Sequence, residues 1–399
     1  MRVQQIHFAH SPGAADSALG VRHDFETPIV GPEYCVGQTS KPVVYARDAV
    51  AKAPIIKVKF AGGPADSSVR VRAAPSSAYI DLVKKYWEDK ESLFMPIEWI
   101  KNFLLRVNTH VLGQAVSPSV VSFDASGNSI GENVFRLGTH GLHIAPVDIH
   151  CISWSWEMLD DGEWRAFDRT DHKIYTVIDT PFLPWNRQGE SGILEQTQPW
   201  VKALDLACLW ARGATTIDEV AAMITRAING IPNQSYDAGQ NFGVGLTFNL
   251  TSYLNELETG IGWPCNCVDF AHAVASFTNI LGGELWPIEL LDNKYNNELR
   301  KLVVAGKDVD IPENWEAPNW SFHKICRRGA DVSKDDPVYD ACIHLDVDDN
   351  YEDDNHEPGI PIGMSYGSAG QTGTYHGRLV KSGTIMQVAP MPGFPLFLE

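Results

Sequence analysis

The sequence predicts an α+β protein: an all-β N-terminal domain followed by a mixed helix-and-sheet core. Three observations predict it. Short strand-like runs separated by turn residues fill the first part of the chain. Apolar residues at helical spacing take over after a Pro-, Gly- and polar-rich stretch near residues 180–198. A helix with cysteines at its start is then followed by strand-like stretches that carry His and Asp. At 399 residues the chain is long enough for two or three domains.

In order, Val43-Val44-Tyr45, IIKVKF from Ile55 and VRVRA from Val69 alternate apolar and polar residues, with Gly-Gly-Pro and Asp-Ser-Ser between them. VVSF from Val120, DIHCISWSWEML from Asp148, the turn DDGEW and HKIYTVI from His172 continue the pattern. Short strands joined by turns indicate a β-sandwich-like domain over 1–180. Trp154, Trp156, Trp164 and Trp185 are expected in its core and sheet faces rather than on a ligand. Beyond it, Trp200, Leu204, Ala207, Cys208 and Ala211 fall on one helical face. TTIDEVAAMITRAINGI predicts a second helix, with Thr216 as N-cap and Glu219 as its capping-box partner. The core runs over 181–360, and a Gly- and Ser-rich extension over 361–399 packs on it as an edge strand or across the site.

The charge narrows the partners. A formal net charge of −18 argues against nucleic acid and anionic membrane, which need clustered Lys and Arg. No run approaches the roughly 18 apolar residues of a membrane span. The start lacks the apolar stretch of a secretory signal. The 7 cysteines are scattered and odd in number, which fits reduced thiols in a cytoplasm. Export without a cleaved signal stays compatible, and no oligomeric state is set.

GWPCNCVDFAHAVASFTNILGG, from Gly262 to Gly283, is the stretch richest in chemistry. Phe270, Val274, Phe277 and Leu281 give a helical stripe, and Gly282-Gly283 ends it. Asn266 suits an N-cap with Asp269 three residues on, so Cys267 falls in the first turn. Free backbone N–H groups and the helix dipole favour a thiolate there, and the Asp269 charge opposes it. Cys265 and Cys267 could instead begin a zinc site with Cys326 and Cys342, but no second close pair exists, and no metal is expected. Inert buried thiols are the remaining reading. A nucleophile needs a base and an orienter. His323 in NWSFHKICRR and Asp340 in PVYDACIHLDV lie on successive strand-like stretches and suit those roles; His344 and Asp346 are the rival pair. His272 follows Cys267 by five residues and is turned away from it on the helix.

NCVDFA from Asn266, FHKI from Phe322 and VYDAC from Val338 resemble the Cys, His and Asp boxes of the transglutaminase-like cysteine-enzyme superfamily. LACLWARGA from Leu206, followed by a further helix, resembles the helical lead-in to that core. The likeness covers roughly Trp200 to Tyr351. It implies a papain-like core, with Cys267 as nucleophile, His323 as base and Asp340 as orienter. Two features depart from the pattern: Pro264-Cys265-Asn266 separate Gly262 from Cys267, and no Trp follows His323 closely. The oxyanion donors expected are the Cys267 N–H and, second, Tyr236.

One acidic run remains. Asp346, Asp348, Asn350 and Glu357 fall at positions 1, 3, 5 and 12 of a calcium-loop template, but Tyr351 stands where the turn needs Gly and Asp353 holds position 8. A solvated acidic loop is expected, with no cofactor. The function the resemblance implies is thiolate attack on an amide or peptide bond of a protein or peptide substrate, through a thioester. Hydrolysis is placed ahead of cross-linking to an amine. The alternative class is a binding or structural protein that keeps the fold without catalysis.

Overall fold

A computed structural model describes residues 1–8, 18–24, 27–47, 55–75, 116–137, 146–185, 198–239, 242–244, 247–260, 262–292, 298–318, 320, 322–329, 333–348, 350, 355–368, 370–382, 385–388 and 397–398. The fold is α+β, with mixed sheets and few helices. The chain divides into two compact units, residues 1–180 with 198–215, and 181–197 with 216–399.

Among the described residues the first unit holds two larger sheets and a small pairing of Val21–Arg22 with Pro28–Ile29. One orders the strands Tyr34–Cys35, Arg2–His7, Ile55–Ala61 and Asn133–Arg136. The other orders Val43–Ala46, Glu163–Val177, Asp148–Asp160, Ser68–Pro75 and Val116–Ser122. The long hairpin of this second sheet turns at Asp161-Gly162, where φ is 49° and 82°. Positive φ at both central residues is what a two-residue hairpin turn requires, and Asp-Gly supplies it. Along Asp148–Asp160 the inward positions Ile152, Trp154 and Trp156 recur with period 2 and join one buried cluster with Ile6, Val58, Phe60 and Phe135 of the other sheet. Trp164 lies instead on the sheet surface under the Arg72 guanidinium, 4.2 Å from its ring.

Helix α1, Val201–Trp210, belongs to this unit. The sequence reading placed it at the head of the second domain. Its Asp205 carboxylate accepts hydrogen bonds from Lys173 Nζ (2.5 Å) and the Tyr175 hydroxyl (2.7 Å), both on the hairpin, and these fix it to that sheet.

In the second unit α2, Ile217–Asn229, opens on the expected capping box: the Thr216 hydroxyl accepts the Glu219 N–H and the Glu219 carboxylate accepts the Thr216 N–H. Helix α3, Leu250–Thr259, is capped by Asn249 and stops at Gly260, whose φ of 62° is left-handed. Helix α4, Cys267–Asn279, is buried on every side, so its polar residues as well as the Phe270, Val274 and Phe277 stripe lie inside. It packs on an antiparallel sheet ordered Ile362–Ser365, Pro337–Tyr339, Phe322–Arg328, Leu285–Asp292, Ile385–Val388. The tail beyond residue 361 therefore supplies both edge strands, and between them it forms the short helix α5, Tyr375–Leu379. Among the described residues no helix is long and apolar enough to cross a membrane.

Candidate active site

Cys267 begins α4, and the local sequence explains why. The Asn266 backbone is extended, and its side-chain oxygen accepts the N–H groups of Val268 (2.8 Å) and Asp269 (3.1 Å). Asp269 returns the cap by accepting the Asn266 N–H at 2.9 Å. Its other oxygen accepts the N–H groups of Phe242 (3.0 Å) and Gly243 (2.5 Å). The carboxylate that the sequence set against a thiolate is thus fully buried and engaged by three backbone donors. The Cys267 N–H has no acceptor among the described residues.

His323 sits second in the strand Phe322–Arg328, whose five middle residues are all buried. Both faces of that strand are covered, so the ring is 2% exposed although it is polar. Its Nε2 lies 2.8 Å from Asp340 Oδ2. Asp340 follows the neighbouring strand Pro337–Tyr339, and its N–H donates to the Pro361 carbonyl at 2.9 Å. With Nε2 taken, Nδ1 is the nitrogen left for Cys267, whose thiol lies close enough to raise the ring's pKa. The approach falls short of full hydrogen-bond geometry, so Nδ1 has no direct partner. Burial opposes a charged ring, yet the Asp340 charge and hydrogen bond, helped by Cys267, outweigh it and push His323 up to about 10.

The structure thus brings Cys267, His323 and Asp340 together. It does not assemble the rival pair. His344 lies on the strand Ile343–Asp346 opposite Val303, and burial pushes its pKa down despite the Asp340 charge. Asp346 pairs with His356 Nδ1 at 2.7 Å. Its other oxygen accepts the N–H groups of Glu357 (3.1 Å) and Asp348 (3.4 Å). Both oxygens that would start a calcium loop are therefore engaged within the loop, while Tyr351 and Asp353 lie outside the described residues. His272 is fully buried on α4, pushed well down by burial and by Lys324.

The other thiols of this unit are held protonated. Cys265 is pushed up to about 12 by burial, and its sulfur accepts the Gln234 amide at 2.9 Å. Burial also pushes Cys326 and Cys342 up, and the Cys326 thiol donates to the Ala271 carbonyl at 2.9 Å.

Two groups frame the site: Trp320, which its place in the sequence puts near the motifs as shielding, and Tyr375, which the sequence reading did not foresee. The Trp320 indole stacks flat on the His323 ring, centroids 4.3 Å apart and planes 10° apart. Tyr375, far along the chain in the Gly-rich tail, donates its hydroxyl to Asp340 Oδ2 at 2.9 Å. Tyr236 lies near Trp320 and Cys267; burial first, then the neighbouring thiols, raise its pKa and keep its hydroxyl protonated. Tyr236 and Trp320 also wall a cavity of about 350 Å³ that includes Asp237, Glu316, Lys307 and Leu302.

No family model matches the chain, and no curated protein matches it in sequence. Among solved structures, red sea bream transglutaminase is similar with a TM-score of 0.38 and 11% identity, over 82% of this chain and 52% of that one. A two-domain protein of unknown function from Bacteroides fragilis is similar with a TM-score of 0.19 and 12% identity, over 47% of this chain and 50% of that one. The chain spans about half the length of each.

Proposed function

We propose that the second unit is a transglutaminase-like, papain-like core that performs cysteine-dependent acyl transfer on amide or peptide bonds of a protein or peptide. The observation that carries this reading is one buried imidazole with a carboxylate on Nε2 and the thiol of a helix-start cysteine beside its other edge. In the reaction Cys267 and His323 share one proton, which rests on His323 Nδ1 as the sulfur attacks the carbonyl carbon. The oxyanion meets the unclaimed Cys267 N–H and the Tyr236 hydroxyl. His323 then passes the proton to the leaving nitrogen, which departs as ammonia or amine and leaves a thioester. Water, deprotonated by His323, adds to the thioester, and the carboxylic acid and thiol are released.

Cross-linking is the second reading, and one feature favours it. The cavity beside the site has aromatic walls and the Asp237 carboxylate, which suit an incoming ammonium, while its Glu316 is already paired with Lys307 at 3.0 Å. The test incubates the protein with a glutamine-containing peptide, with and without a fluorescent primary amine. Ammonia release without amine incorporation is expected. Efficient incorporation would replace hydrolysis by transfer. No reaction with any amide, and no preferential labelling of Cys267 by iodoacetamide over Cys265, would leave a non-catalytic binding protein.

A further inference from the structure

We propose that Tyr375 is a positioning residue of this site, which fixes the Asp340 carboxylate and sets how strongly it grips His323. The inference rests on the reading that Cys267, His323 and Asp340 act together. Three donors from three segments hold the carboxylate. His323 Nε2 (2.8 Å) and the Tyr375 hydroxyl (2.9 Å) share Oδ2, and the Cys342 N–H takes Oδ1 at 2.9 Å. An ionised carboxylate has about four acceptor positions, so this one is nearly saturated and cannot rotate without losing a bond.

The fold places the tyrosine for this contact. The Thr374 side chain caps α5 by accepting the Gly377 N–H at 3.2 Å, and the His376 N–H donates to the Tyr366 carbonyl at 2.8 Å. Any side chain at Gly377 would overlap the Gln371 carbonyl, so the turn closes this tightly only with glycine. The Tyr375 ring is fully buried, with Tyr366 stacked beside it at 6.1 Å. Burial, and then the Asp340 charge, keep the hydroxyl protonated, so toward the carboxylate it acts only as a donor.

A donor on Oδ2 draws off part of the charge that holds the imidazolium. Removing it leaves a more basic carboxylate and a more tightly held proton on His323. The other titratable groups facing this pair are Cys267 from α4, Cys326 on the His323 strand, and Cys342 and His344 beyond Asp340, with Tyr366 behind Tyr375.

The test follows the His323 ring by NMR, with the signal assigned by its loss in His323→Gln, in the full chain. Tyr375→Phe should raise the ring's titration by about one pH unit, the size of one hydrogen bond to a charged group. The same change in an Asp340→Asn background should shift it by less than about 0.2 unit, because the link is gone. 3-Fluorotyrosine at position 375, a stronger donor of nearly the same shape, should move it down, and serves if the Phe variant does not fold. An unmoved titration in folded Tyr375→Phe, or an equal shift without the Asp340 carboxylate, overturns the proposal. The ring titration does not depend on turnover. A silent Cys267 with the expected ring shifts would therefore sink the enzymatic reading and leave the Tyr375 linkage standing.

Discussion

The tripeptide His-Lys-Ile occurs twice, as His172-Lys173-Ile174 in the first unit and His323-Lys324-Ile325 in the second. Both copies lie within strands, and both histidines are buried. Each ring also has an indole against it: Trp154 at 4.5 Å and 47° for His172, Trp320 at 4.3 Å and 10° for His323. Their chemistry is opposite. Among the described residues the polar partners of His172 are hydroxyls, Thr170 Oγ1 at 2.8 Å and Ser40 Oγ at 3.3 Å, and burial drives its pKa down to about 3. His323 meets a carboxylate, which overcomes the same burial and drives it up to about 10. The local sequence places a histidine in a covered strand. A carboxylate from another segment turns it into a base.

The largest effect should come from deleting each ring. His323→Ala should lower both amide turnover and iodoacetamide alkylation of Cys267, turnover by about 10²–10⁴-fold, the usual contribution of a positioned general base. His172→Ala should leave both rates within about twofold and instead destabilise the first unit by roughly 1–3 kcal/mol, since Thr170 and Ser40 lose a buried partner. Rates and thermal unfolding of the two variants check the pair. Loss of chemistry in His172→Ala would mean that the comparison assigns the roles wrongly.

Asp340→Asn should make the second histidine behave like the first. With the Asp340 charge gone, burial is opposed by Cys267 alone, and His323 should titrate well below its value in the parent. A raised folded pKa contributes stability that is complete below the unfolded value of about 6.5 and is lost as pH rises through about 10. In the parent, opening of the strand Phe322–Arg328 should become easier over that window by up to about 1.4 kcal/mol per pH unit, the slope of one proton. Hydrogen exchange reads this, and the slope should flatten in Asp340→Asn. For His172 the sign reverses. Its depressed pKa contributes stability present above about 6.5 and lost as pH falls through about 3. His172→Gln should flatten the acid side of the first unit's stability and leave the alkaline side of the second unchanged.

This contrast also marks what was legible in the residues. The Cys267 helix start could be read because its cap is local: Asn266 and Asp269 lie within one turn, and their side chains satisfy the backbone around them. The hairpin at Asp161-Gly162 and the capping box at Thr216 were readable for the same reason. His323 and Asp340 could be proposed from order along the chain, but the contact between them is a product of strand pairing. The register Cys326 to Tyr339 and Arg327 to Val338 brings Asp340 to the His323 strand, and no short-range signal encodes it. Tyr375 was invisible because it reaches Asp340 through a turn in a Gly-rich tail with no apolar periodicity. Helix α1 was assigned to the wrong neighbour because helical spacing identifies a buried face and not the sheet that covers it.

The smallest expected effect concerns the indoles. Trp154 is fully buried in the first unit's core, whereas Trp320 is only partly buried and walls a cavity. Removing Trp154 should therefore act on stability, and removing Trp320 on the histidine it covers. Two changes oppose each other in Trp320→Ala. Water reaching the ring relieves the burial that disfavours its charge, which raises the pKa. The same water screens Asp340, and the cation–π contribution of the flat stack, about 0.5–1 kcal/mol at a partly exposed site, is lost; both lower it. The net shift in the His323 titration should be downward and less than about one unit, and Cys267 alkylation should slow by no more than about tenfold. Trp320→Phe keeps a stacking face and should fall between parent and Ala in both readouts. An upward shift in Trp320→Ala would mean that desolvation by the indole outweighs its stacking, and would place Trp320 with Trp154 as cover alone.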